Sequence, residues 1–135
     1  MIKIKDATQI AKMRVASRLT AQVLDMITPY VKAGVTTGYL NDLCHELIVK
    51  QQQAIPAPLN YHGFPKSICT SVNHVICHGI PGDKKLKKGD IINIDISVKK
   101  NGFIGDSSRM FSVGKTSPLA SKLIDVCYKA MHLGI

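Results

Sequence analysis

The apolar positions of this 135-residue chain follow two different periods. From about Asp6 to Lys32, Ile10, Met13, Leu19, Val23, Met26 and Ile27 recur every three or four residues, the spacing of an amphipathic helix. Asp6 or Thr8 can cap its start, Pro29 bends or ends it, and Gly34 closes the exit. A second helix begins near Thr37, with Leu40, Leu43, Cys44, Leu47 and Ile48 in one stripe. After Gln51-Gln52-Gln53 and the prolines at 56 and 58, the texture changes to short apolar runs broken by Gly and Pro. Ser67 to Val72, Val75 to Cys77, Ile91 to Val98 and Phe103 to Val113 read as strands. Ser117-Pro118 then opens a third helix, with Leu119, Leu123, Ile124, Val126, Cys127 and Met131 apolar. Met13, Met26 and Met131 lie on these helix stripes and are read as core.

The third of these strands alternates strictly. Ile92, Ile94, Ile96 and Val98 share one face, and Asn93, Asp95 and Ser97 the other. Asn101-Gly102 supplies a two-residue hairpin loop, since both residues tolerate the positive φ such turns require. With those two as the loop, cross-strand partners have numbers summing to 203, so Ser97 faces Asp106. Asp95 then shares that face, as a diagonal neighbour of Asp106 at about 7–8 Å between Cα atoms, while a turn centred between Lys100 and Asn101 would pair the two directly on the same face. Two such carboxylates repel unless a cation lies between them, and a divalent metal ion is the natural one. The plain alternative is a wet hairpin face with two solvated aspartates, but Asp106 lies mid-strand, where Asp is disfavoured.

Composition adds limits. A chain of this length can bury roughly 65–70% of its unfolded surface, enough for a core without a disulfide or metal staple. No run approaches the ~18 apolar residues of a membrane span. Met1-Ile2-Lys3-Ile4-Lys5-Asp6 carries charges where a secretory signal needs its apolar stretch, which points to the cytoplasm. Cys44, Cys69, Cys77 and Cys127 form no CxxC pair and read as reduced, mostly packed thiols. The net charge of +9 suits an acidic partner, and Lys84-Lys85-Leu86-Lys87-Lys88 is its densest run. That run reads as a solvated loop, with a phosphate contact on RNA or the ribosome surface as the sharper alternative. Aromatic residues are too few for a platform that stacks single-stranded bases. His74 and His78 have an H-x-x-x-H spacing, but in strand-like surroundings they do not make a paired zinc site. His45 and His132 lie on helices without an evident partner.

Four segments carry a resemblance: Tyr61-His62-Gly63-Phe64-Pro65-Lys66-Ser67-Ile68-Cys69, Ser71-Val72-Asn73-His74-Val75-Ile76-Cys77-His78-Gly79-Ile80-Pro81, Gly89-Asp90-Ile91-Ile92-Asn93-Ile94-Asp95, and Gly102-Phe103-Ile104-Gly105-Asp106-Ser107-Ser108-Arg109-Met110-Phe111. Together they closely resemble type I methionine aminopeptidase, over essentially the whole chain. The resemblance implies an α/β chain, the N-terminal half of a pita-bread fold, with an antiparallel sheet and helices packed on one face. It makes residues 1–135 a single domain, the N-terminal segment of the catalytic domain.

The activity implied is removal of the initiator methionine from nascent chains by a monomeric enzyme using two divalent metal ions (Co, Mn, Fe or Zn). By motif, Asp95 and Asp106 are implied metal ligands. His78 is implied to bind the scissile peptide and stabilise the transition state. Tyr61, Phe64 and Cys69 are implied to line the methionine pocket, with His62 at its rim. The family's second half supplies a further His and two Glu ligands, whereas Glu46, the single glutamate here, lies on an N-terminal helix. Weak metal binding and little or no activity are therefore expected of these 135 residues alone. A non-catalytic basic module binding RNA or the ribosome surface is the alternative. A homodimer completing the site is disfavoured, because a second copy adds only aspartates.

Overall fold

A computed structural model describes residues 3–135, so Met1 and Ile2 of the charged amino terminus lie outside the described residues. The first helix, α1 (Ala7–Ile27), starts at Asp6. Its carboxylate accepts the Gln9 backbone N–H at 2.8 Å, and the Gln9 side chain returns the bond to Asp6 N at 3.0 Å. A 3₁₀ turn over Thr28–Tyr30, with Pro29 in it, ends the helix as the sequence predicts. The second helix, α2 (Thr37–Glu46), is capped by the Thr36 hydroxyl and unwinds into a π-helical turn over Leu47–Gln51.

The sheet is built around β3 (Ile91–Lys100). Along one edge it pairs with β4 (Phe103–Ser112) over its whole length. Along the other it pairs with β1 (Ile55–Pro56) and β2 (Cys69–Val72), all antiparallel. The β3–β4 register runs from Ile91↔Ser112 to Lys100↔Phe103, the pairing the hairpin loop predicts, with Ser97 opposite Asp106. Asn101 (φ 51°) and Gly102 (φ 81°) both adopt the left-handed conformation that a two-residue loop needs.

Ile92, Ile94, Ile96 and Val98 are fully buried beneath the helices, against Val23, Leu24, Ile27, Leu40, Cys44 and Ile48. Burying each isoleucine side chain contributes about 1.5–3 kcal/mol. Polar ties add direction to this packing. The buried Thr20 hydroxyl lies 3.0 Å from the Gly105 carbonyl, and Arg109 reaches from β4 to Asp25 of α1 at 3.0 Å. The helices thus cover one face of the sheet, and the Asn93-Asp95-Ser97 face is left open.

Four expectations change. Val75–Cys77 is not a strand: Asn73 turns the chain in the left-handed region (φ 54°), and its side chain bonds Ile91 N and Asp90, closing the end of β2 and releasing the next residues from the sheet. Of the three methionines, only Met26 packs against the core, while Met13 and Met131 are 37% and 51% exposed. The four thiols are free, but only Cys44 and Cys69 are buried; Cys77 and Cys127 are exposed. His45 has a partner, its Nδ1 lying 2.7 Å from the Ser67 hydroxyl.

The third helix, α3 (Pro118–Gly134), is capped by Ser117 as expected but buries no residue. Leu119 and Leu123 are 78% and 54% exposed, so its apolar stripe meets none of the described core. Among the described residues no helix is long and apolar enough to cross a membrane.

Candidate functional site

A cleft of about 760 Å³ opens on the uncovered face of the sheet. The hairpin floor supplies Asp95, Ser97, Ile104 and Asp106 to it. Cys69 enters from β2, directly opposite Asp95. The 57–65 loop and the segment around His78 form the walls. The residues that the resemblance marks meet here: Tyr61, Phe64, Cys69, His78, Asp95 and Asp106, with His62 beside them. His74 does not line the cleft, and it stands exposed on the turn after β2.

Backbone geometry explains why these side chains converge. The Thr70 amide donates to the Gly79 carbonyl at 2.8 Å, and the Gly79 amide donates to the Ser71 hydroxyl at 3.1 Å. A Cβ on Gly79 would lie 2.1 Å from the Thr70 carbonyl oxygen, so only glycine permits this approach. His78, immediately before it, is held in the left-handed region (φ 55°), a conformation that costs a non-glycine residue of order 1–3 kcal/mol. On the opposite wall, a tight loop closes from Asn60 N to the Phe64 carbonyl at 2.8 Å. It sets the Tyr61 ring edge-on to His62, with centroids 4.4 Å apart.

Gly105 plays the same part beneath Asp106. A Cβ there would lie 2.5 Å from the Ala16 backbone, so α1 rests directly on this point of β4 while Asp106 projects to the other face. The sequence marks the acid but not this reason for the glycine before it. The Ser97 hydroxyl was likewise legible only as a register mark; it donates to Asp106 Oδ1 at 2.8 Å.

Charge on the floor is unbalanced. Burial, followed by the charge of Asp106 and a hydrogen bond with it, pushes the Asp95 carboxyl above its ordinary value, with His78 pulling the other way. Two carboxylates at diagonal positions on one face of a hairpin repel, and a proton or a cation between them relieves that repulsion. Their hard oxygens suit a divalent ion in kind. In number they fall short, since among the described residues no group of three His, Cys, Asp or Glu could hold a metal. Glu46 is paired with Lys50 at 3.0 Å on the exposed end of α2 and is not part of the cleft. The pair thus fits a divalent ion as part of its ligand set. The Cys69 thiol is pushed up to about 11 by burial, then by Asp95, Cys77 and Asp106, and lines the cleft as a neutral, weakly polar group.

Comparison with known proteins gives the family of the chain. Residues 11–135 match the model of metallopeptidase family M24. A methionine aminopeptidase of Rickettsia prowazekii is 58% identical over 99% of this chain and 51% of its own length, so the chain spans about half the length of such curated relatives. The crystal structure of methionine aminopeptidase from Rickettsia prowazekii superposes on the whole chain with a TM-score of 0.97, covering 54% of that chain. Methionine aminopeptidase from Thermotoga maritima, at 30% identity, gives 0.96 over the same shares. The fold is accordingly that of half a pita-bread structure, and the two aspartates meeting across its hairpin lie in a chain that belongs to metallopeptidase family M24.

Proposed function

We propose that this chain forms the N-terminal segment of a cytoplasmic, monomeric methionine aminopeptidase, which removes the initiator methionine from nascent proteins. The observation that carries the reading is the joining of Asp95 and Asp106 to an apolar, sulfur-lined cleft on one face of one hairpin. Asp95 and Asp106 would hold divalent ions, two in the complete site, of Co, Mn, Fe or Zn. When bound, such ions supply the acidity that makes a water nucleophilic at neutral pH.

The chain's own residues do the rest of the recognition. Tyr61, Phe64 and Cys69 enclose a flexible thioether side chain and exclude water from it. His78 donates a hydrogen bond to the peptide at the scissile position and stabilises charge developing on its oxygen. The further His and two Glu ligands, one of them managing the proton of the attacking water, belong to residues outside this stretch. The 135 residues alone bind metal weakly and turn over little substrate. The test is release of methionine from a Met-Ala-Ser peptide in Mn²⁺ or Co²⁺. Robust turnover by the 135-residue chain that Asp106→Ala abolishes would contradict its inactivity.

A second reading, contact with RNA or the ribosome surface, is favoured by one observation. Lys84, Lys85, Lys87 and Lys88 are exposed on a loop whose backbone is pinned to Gly34, Val35 and Thr37 and to Val113. Such fixed cations suit phosphates. RNA affinity that falls steeply with salt and ignores chelators supports this surface, and salt-independent or chelator-sensitive binding removes it.

A further inference from the structure

We infer that Ser97 is a positioning residue for Asp106, fixing its carboxylate for a cation with a neutral hydroxyl; the inference rests on the metal reading above. Ser97 and Asp106 are direct cross-strand partners, and Ser97 Oγ donates to Asp106 Oδ1 at 2.8 Å. A hydroxyl bonded to a carboxylate oxygen is among the stronger hydrogen bonds, and it restrains rotation of the carboxylate plane. Lys or Arg at this position would orient Asp106 equally well but would neutralise it. A hydroxyl leaves its full negative charge to an ion.

The other carboxylate is held differently. Asp95 lies opposite Ser108, but Ser108 Oγ accepts the Asn93 side-chain amide at 3.3 Å and makes no hydrogen bond to Asp95. Asp106 is therefore the oriented member of the pair, and among the described residues no side-chain hydroxyl donates to Asp95. Ser97 is itself anchored from its other edge, where its carbonyl accepts the Ala57 amide at 2.9 Å. Ala57 and Pro58 line the cleft, so one residue ties the cleft wall to the carboxylate of the floor.

The test is titration of the full 135-residue chain with Co²⁺, read by visible absorption, with urea midpoints recorded for each variant. Ser97→Ala weakens Co²⁺ binding about tenfold and changes the absorption envelope, as loss of a group supporting a metal ligand does. Ser97→Thr, which keeps the hydroxyl, stays within about twofold of the unsubstituted chain. Asn93→Ala, which removes a polar group from the same face, leaves binding unchanged. Unaltered binding by Ser97→Ala overturns the inference while sparing the metal reading, as does equal weakening by Asn93→Ala or by Ser97→Thr. Failure of the unsubstituted chain to bind Co²⁺ overturns the metal reading and this inference with it.

Discussion

The Gly79 carbonyl accepts the Thr70 amide at 2.8 Å, and a methyl group on Gly79 would overlap the Thr70 carbonyl oxygen at 2.1 Å. This approach holds His78 over the cleft. Gly79→Ala must push the segment off β2, at a cost of about 1–3 kcal/mol, the range for forcing an added carbon into a packed site. Urea denaturation and the His78 imidazole resonances check it. An unchanged midpoint with unmoved resonances would contradict the placement.

Thr20 makes the corresponding tie on the covered face. Thr20→Val keeps the shape but leaves the Gly105 carbonyl without its hydroxyl partner, a loss of about 1 kcal/mol. Ile94→Ala, at a fully buried core position, costs about 2–5 kcal/mol. The order of the two urea midpoints is the check: Ile94→Ala lies well below Thr20→Val.

Asp95 and Asp90 should also be visible in the pH dependence of stability. Because Asp95 is raised above its ordinary value of 3.8 in the folded chain, its contribution is fully present below 3.8 and is lost as pH rises through the raised value. Asp90 runs the other way. Burial opposes its ionisation, but the Asn73 amide, the Lys87 amide, and the charges of Lys84 and Lys87 together lower it, so its contribution is lost as pH falls below 3.8. Asp95→Asn removes the first trend alone. Thermal melts from pH 4 to 7 without metal should show the native chain losing stability relative to this variant as pH rises. Parallel curves would contradict the repulsion.

Thiol chemistry separates the four cysteines. Burial pushes Cys44 up to about 12 and Cys69 to about 11, so neither forms thiolate near pH 8, while Cys77 and Cys127 are exposed. Iodoacetamide at pH 8 should modify Cys77 and Cys127 rapidly and the buried pair only on unfolding. Peptide mapping that finds Cys69 labelled as fast as Cys77 would contradict the burial of Cys69 at the cleft.

The hairpin was legible because two residues fixed everything after them: Asn101-Gly102 set the loop, and strict alternation set which face carried the acids. Local rules could not supply what depends on distant backbone. Val75-Ile76-Cys77 has the texture of a strand, but Asn73, bonded to Asp90 and Ile91, 17 and 18 residues away, turns it out of the sheet. The bond between His45 and Ser67 spans 22 residues and leaves no pattern in the sequence. For α3, periodicity correctly gave a helix with an apolar stripe, yet a stripe states only that a face favours burial, not that the described residues cover it. The tight approaches at Gly79 and Gly105 were equally invisible, since a glycine in a strand or loop does not announce which backbone lies against it.

Asp95 and Asp106 are proposed to hold a divalent ion jointly. Titration of Mn²⁺ into the 135-residue chain, followed by loss of the free-ion EPR signal, tests it most directly beside the Asp95→Asn/Asp106→Asn double variant. Weak, saturable binding by the native chain that the double variant lacks is the predicted result. Binding of equal strength by both chains, or by neither, would contradict it.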